Sequence, residues 1–123
     1  MNVLVVDDSA AMRKIIISAL GKTELRGART IEATNGKEGL DKFLDGNFGV
    51  ILSDWNMPEM DGIEFVNRVR KVDSRVKIIM ITTEGTMGKL ESALDGGVDE
   101  YVVKPFTPET LDRKITKVLG VKS

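Results

Sequence analysis

The chain has 123 residues, a formal net charge of -1, and neither cysteine nor histidine. Thiol nucleophiles, imidazole bases, disulfides and the usual zinc ligand sets are therefore excluded, so any chemistry must use carboxylate, hydroxyl, amine or a hard metal. A chain of this size folds as one domain, with roughly two thirds of its unfolded surface buried. Near-zero charge without a basic block argues against nucleic acid as a partner. The start, MNVLVVDD, turns acidic after a short apolar run, so it is neither a signal peptide nor a membrane span, and the cytoplasm is the expected location.

In chain order, Val3 to Val6 is a short β-branched apolar run that breaks at Asp7 and Asp8, as a strand buried on both sides of a parallel sheet would. Ser9 is placed to cap a helix in which Met12, Ile15, Ile16, Ala19 and Leu20 recur at helical spacing until Gly21. Thr30 to Thr34 reads as a second strand. Asn35 with Glu38 three residues later signals the start of a helix carrying Leu40, Phe43 and Leu44, and Asp45 to Asn47 make a turn.

Val50, Ile51 and Leu52 deliver Asp54 to the end of a third strand, because Trp55, Asn56, Met57 and Pro58 cannot continue a central one. Asp61, with Glu64 three residues on, caps a helix with Phe65, Val66, Val69 and Val72. Lys77 to Thr82 is another continuous apolar strand. Leu90, Ala93 and Leu94 suggest a helix ending at Gly96 and Gly97, and Tyr101 to Val103 a fifth strand ending at Lys104 and Pro105. Thr107 and Pro108 open the last helix, with Leu111, Ile115, Val118 and Leu119. Arg113, Lys114, Lys117 and Lys122 read as its solvated face.

Five strands alternating with five helices predict parallel βα units in one doubly wound α/β domain over residues 1–123, with no output domain. In such a sheet the ends of strands one, three, four and five share an edge, which brings Asp7, Asp8, Asp54, Thr82 and Lys104 together. Clustered carboxylates repel unless a cation compensates, and an all-oxygen set favours a hard divalent ion such as Mg2+. Mg2+ commonly takes one or two carboxylates plus a phosphate, so this acid group awaits an anion. Lys104 offers that anion a positive charge and Thr82 a hydroxyl. Asp54 then reads as the nucleophile, since carboxylates form aspartyl phosphates. Each residue taken alone also has a plain structural use, as a helix-terminal acid, a β-branched strand residue or a solvated lysine.

Asp7-Asp8, the stretch SDWNMPEMDG from 53 to 62, MITTE from 80 to 84 and EYVVKPFTP from 100 to 108 resemble the response-regulator receiver domain, especially its stand-alone chemotaxis members of the CheY type. The likeness covers essentially the whole chain. It implies the flavodoxin-like sheet order 2-1-3-4-5 and a signalling switch in which Asp54 takes a phosphoryl group from a histidine kinase. It also implies that Asp7, Asp8, Asp54 and the backbone carbonyl of Asn56 hold Mg2+, that Thr82 and Lys104 contact phosphoryl oxygens, and that Thr82 and Tyr101 move together. The Lys104-Pro105 bond is expected to be cis. The implied protein is a monomer that is not an enzyme in its own right, beyond self-catalysed phosphoryl transfer and slow loss of the group. Its partners would be the kinase, a downstream target such as the flagellar motor switch, or a phosphatase. Gly85 and Gly88 mark the stretch before Leu94 as a mobile element, and Gly85-Thr86-Met87-Gly88 lacks the lysines that motor-binding members carry there, so relay to another module or a phosphate sink is an alternative output.

A phosphatase of the haloacid-dehalogenase type also uses an Asp nucleophile with Mg2+. It needs a second Asp two residues on, where this chain has Asn56. A flavodoxin-like cofactor module would need a Gly- or Ser/Thr-rich phosphate loop after Val6, and Asp7-Asp8 stands there instead.

Overall fold

Side chains alternate between the two faces of a β-strand, so a strand that is apolar at every position needs cover on both faces. Val3–Val6, Val50–Leu52 and Ile78–Ile81 meet that condition, and all of these residues are fully buried. In the computed structural model, which describes residues 1–83, 91–92 and 94–120, they form the centre of a parallel sheet. The strands are β1 (Asn2–Val6), β2 (Arg29–Ala33), β3 (Val50–Asp54), β4 (Lys77–Thr82) and β5 (Glu100–Val103), in the order β2-β1-β3-β4-β5. The doubly wound order implied by the resemblance is thus observed. β2 begins at Arg29 and β5 at Glu100, so both edge strands start one residue earlier than the apolar runs alone indicate.

Four helices are described, α1 (Ala10–Leu20), α2 (Gly36–Leu44), α3 (Gly62–Val72) and α4 (Pro108–Leu119). Of the helix expected before Gly96, residues 91–92 and 94–95 are helical, and Gly96 N–H bonds the Ser92 carbonyl at 2.9 Å. The proposed mobile stretch with Gly85 and Gly88 lies outside the described residues. No helix among those described is long and apolar enough to cross a membrane.

The sheet separates two cores. Val3, Val5, Leu52, Ile79 and Ile81 pack with Ile16 and Leu20 of α1 and Leu111 and Ile115 of α4. Leu4, Val6, Ile51, Ile78 and Met80 pack with Phe43 of α2 and Phe65, Val66 and Val69 of α3. Each such side chain contributes about 1.5–3 kcal/mol relative to exposure. Cap chemistry fixes where the helices begin: Ser9 Oγ accepts from Met12 N–H, Asn35 Oδ1 from Glu38 N–H, Asp61 Oδ1 from Glu64 N–H and Thr107 Oγ1 from Thr110 N–H.

Among the described residues, four expected on apolar helix faces are exposed: Ile15, Leu44, Val72 and Leu94, the last standing two residues before Gly96. Ile15 lies about 100° round α1 from Ile16 and lines a groove with Lys14, Lys22, Phe106 and Pro108 instead of facing the sheet. Leu44 and Val72 are the final residues of α2 and α3, and periodicity alone does not register that the helix ends there.

Candidate functional site

The strand ends assemble the acids. Asp7 follows β1 and is buried, its N–H still donating to the Ala33 carbonyl of β2 at 3.1 Å, while Asp8 beside it is exposed. Asp54 is the last residue of β3 and is 9% exposed. Asp7, Asp8 and Asp54 each offer a carboxylate oxygen within 4.8 Å of the other two. Opposite ligands of an octahedral Mg2+ lie about 4.2 Å apart, so the cluster has nearly the span that ion requires. With Asp8 exposed, one side of the cluster stays open to water and to a phosphate.

Lys104 reaches this cluster from the end of β5. Its ammonium lies 3.2 Å from Asp7 Oδ2 and 3.4 Å from Asp54 Oδ1, and its side chain is 14% exposed. The backbone is held as well, because Lys104 N–H donates to the Thr82 carbonyl at 2.8 Å. The Lys104–Pro105 bond is cis, as the resemblance implies. Asp54 Oδ1 also accepts from Trp55 N–H at 2.8 Å, and Asp7 Oδ1 from Ser9 N–H at 2.8 Å. Burial pushes the Asp54 carboxyl above its ordinary range and the charge of Asp7 adds to this, outweighing the pull of Lys104 and of Trp55 N–H. The isolated carboxylate is therefore under electrostatic pressure that a further cation would relieve.

Thr82 ends β4 and is fully buried. In the register Thr82 is opposite Val103 and Met80 is opposite Tyr101, which puts Thr82 and Tyr101 on one face of adjacent strands. The Tyr101 ring is half-buried, with Lys114 Nζ 4.9 Å from its centroid. Asn56 lies exposed in the loop two residues past Asp54. The five residues expected at the strand ends are thus gathered at one edge, and Tyr101 sits beside that edge on β5.

These features match a known family. The response regulator receiver domain model covers residues 3–116. The chain belongs to the receiver domain family. Among its relatives, chemotaxis protein CheY1 of Helicobacter pylori is 49% identical, with 98% of each chain covered, and a CheY homolog of Campylobacter jejuni is 45% identical over 100% of this chain and 95% of its own. Among solved structures, CheY in the CheX-CheY-BeF3-Mg2+ complex of Borrelia burgdorferi matches with a TM-score of 0.90 and 27% identity, covering 99% of this chain and 90% of that one. CheY4 of Vibrio cholerae matches with a TM-score of 0.83 and 38% identity, covering 95% and 97%. This receiver is of the CheY chemotaxis type, the two-component signalling switches, and its relatives are regulatory proteins. The phosphatase alternative finds no support among these likenesses. Receiver domains bind Mg2+ through acidic residues, and Asp7, Asp8 and Asp54 are this receiver's acidic cluster.

Two residues were not singled out from the sequence, one at the site and one at the start of β5. Arg13 of α1 bonds the Asp7 carbonyl, and the one available signal was a cation on the first turns of the helix that follows Asp7-Asp8. Glu100 is buried at 4% exposure and receives Lys114 Nζ at 3.3 Å and Lys117 Nζ at 3.0 Å, so these two lysines are not a purely solvated face. Lys122 lies outside the described residues.

Proposed function

We propose that the receiver is switched by phosphorylation of Asp54, taken from the phosphohistidine of a histidine kinase. The observation that carries this reading is the buried Asp54 carboxylate with Lys104 Nζ 3.4 Å away, at an edge shared with Asp7 and Asp8. An Asp54 carboxylate oxygen forms a bond to phosphorus as the nitrogen–phosphorus bond of the donor breaks, and the released imidazole takes up a proton from solvent. Phosphoryl transfer of this kind needs charge neutralisation and in-line positioning more than acid-base chemistry. The carboxylates of Asp7, Asp8 and Asp54, with the Asn56 carbonyl, would hold Mg2+, which when bound neutralises charge on the phosphoryl oxygens. Lys104 contributes a second positive charge and Thr82 a hydroxyl donor.

The acyl phosphate adds negative charge at the end of β3. Thr82 moves towards it, Tyr101 turns into the space released, and the surface around β5 changes its affinity for a partner. The partner is a downstream protein, with the flagellar motor switch as one candidate and a phosphatase as another. The receiver acts over residues 1–123 as a monomer in the cytoplasm, and loses the group slowly because Asn56 supplies no general base two residues from Asp54.

The test is intact mass after incubation with a small phosphodonor, with and without Mg2+, on the native protein and on Asp54→Asn. A single phosphoryl gain is expected in the native protein with Mg2+ only. A gain that persists in Asp54→Asn would sink the assignment.

A further inference from the structure

Arg13 lies one turn into α1 with its side chain only 13% exposed. Its guanidinium reaches two acceptors at once: Nη1 donates to the main-chain oxygen of Asp7 at 2.7 Å, and Nε donates to Glu32 Oε1 at 2.9 Å. The Asp7 oxygen belongs to the peptide that joins Asp7 to Asp8. It lies beyond the ladder, since the register of β1 with both β2 and β3 ends at Val6. A peptide plane at that point would be free to tilt, and tilting it would re-aim both acids. Arg13 removes that freedom from one side of the plane, while Ser9 N–H on Asp7 Oδ1 and Lys104 on Asp7 Oδ2 fix the carboxylate itself.

We propose that Arg13, braced by Glu32, is the positioning residue that sets the Asp7–Asp8 peptide so that both carboxylates meet Asp54 before a divalent ion arrives. The inference rests on reading the acid cluster as an Mg2+ site. An arginine suits the task because its rigid planar fork can aim two N–H groups at acceptors on two different elements, here the end of β1 and the side chain of β2. It brings a permanent positive charge beside three acids without occupying a ligand oxygen. Lys104 differs, because its ammonium lies on the carboxylate oxygens of Asp7 and Asp54 themselves. Glu32 is half-exposed, so its ion pair with Arg13 is worth little in stability, and its value is geometric.

Partners of this outer kind alter metal affinity about ten- to a hundredfold when removed. Mg2+ is titrated against the native protein, Arg13→Met, Arg13→Lys and Glu32→Gln, following Trp55 emission, with equilibrium dialysis as a second readout and melting in EDTA alongside. The expected result is an Mg2+ Kd raised about tenfold in Arg13→Met. Arg13→Lys should recover part of the loss, because it keeps the charge and loses the fork. Glu32→Gln should weaken binding by a smaller factor with its EDTA melting temperature near native, a combination that a purely structural role does not produce. Should Arg13→Met fail to fold, the other two variants decide. Native Mg2+ affinity in both Arg13→Lys and Glu32→Gln overturns the inference alone. Native protein that binds no Mg2+ by either readout overturns the metal reading and the inference with it.

Discussion

Gly62 begins α3, and its main chain passes against the peptide that carries Asp54 into Trp55. Its N–H donates to the Trp55 carbonyl at 2.7 Å. A Cβ added there would run into the Asp54 carbonyl oxygen and stand 2.9 Å from Trp55 Cα and 3.1 Å from the Trp55 oxygen, all of them backbone atoms. Gly62→Ala therefore sets two effects against each other. Replacing glycine within a helix contributes about 0.5–1 kcal/mol of stability. Forcing a methyl group into occupied space costs about 1–3 kcal/mol, here at the upper end because no flexible side chain can swing away. The net expectation is a loss of about 2–2.5 kcal/mol.

For a domain of this size, 1 kcal/mol corresponds to roughly 4 °C in Tm. Gly62→Ala should therefore melt about 8–10 °C below native in calorimetry with EDTA present. Gly21→Ala is the internal control: the backbone there is helical at φ -63°, and the added Cβ would meet only Ser18 O, at 3.3 Å, so Tm should stay within about 2 °C of native. Since the displaced peptide carries Asp54, phosphoryl gain from a small donor should also slow by roughly ten- to a hundredfold in Gly62→Ala. A Gly62→Ala protein that melts at or above native and phosphorylates at the native rate would refute the reasoning.

Two further outcomes follow from the charges. Asp54 is held above its ordinary range by burial and by Asp7, so its charged form costs the fold stability at any pH above its folded pKa. Asp54→Asn should then raise the melting temperature in EDTA at neutral pH, with the gain vanishing on acidification. The native protein alone should gain from Mg2+, by about 1.4 kcal/mol at ten times its Kd. Glu100 has the opposite sign: burial would raise its carboxyl, but Lys117, Tyr101 N–H and Lys114 outweigh burial and hold it below the ordinary range. Its stabilisation is present above the unfolded pKa, about 4.3, and is lost as pH falls through the lower folded value. Glu100→Gln should cost about 1–2 kcal/mol at pH 7, and urea denaturation should show the gap to native closing as the pH is lowered past that range.

What was legible in the sequence was local chemistry. The apolar runs of β1, β3 and β4 and the capping residues Ser9, Asn35, Asp61 and Thr107 each declare themselves within a few residues, and all are found as read. The acid cluster was legible one step further on, because a parallel sheet puts all its strand ends on one side, so residues far apart in the chain need no contact information to be grouped. The side-chain pairings across elements were not legible. Nothing near residue 100 announces that a glutamate on β5 will be buried under Lys114 and Lys117 of α4, and nothing near residue 13 announces that an arginine will turn back to a carbonyl. Both depend on how far a helix lies from its neighbouring strand, which packing decides and periodicity does not.

The site holds two cations of different kinds, and the difference bears on how a phosphoryl signal would leave it. Arg13 grips a main-chain carbonyl through a braced fork and competes with no ligand for a carboxylate oxygen. Lys104 sits on carboxylate oxygens of Asp7 and Asp54 with a flexible stem, so on the proposed mechanism its head must yield those oxygens and follow the incoming charge. Its backbone has no such freedom, because Lys104 N–H is bonded to the Thr82 carbonyl. The two groups proposed to meet the phosphoryl group are therefore tied to each other across β4 and β5, and Tyr101 is three residues from one end of that tie. Charge arriving at Asp54 would act on both ends of a single backbone link, and Tyr101, a half-buried ring with Lys114 Nζ 4.9 Å from its centroid, lies on the strand that carries one of those ends.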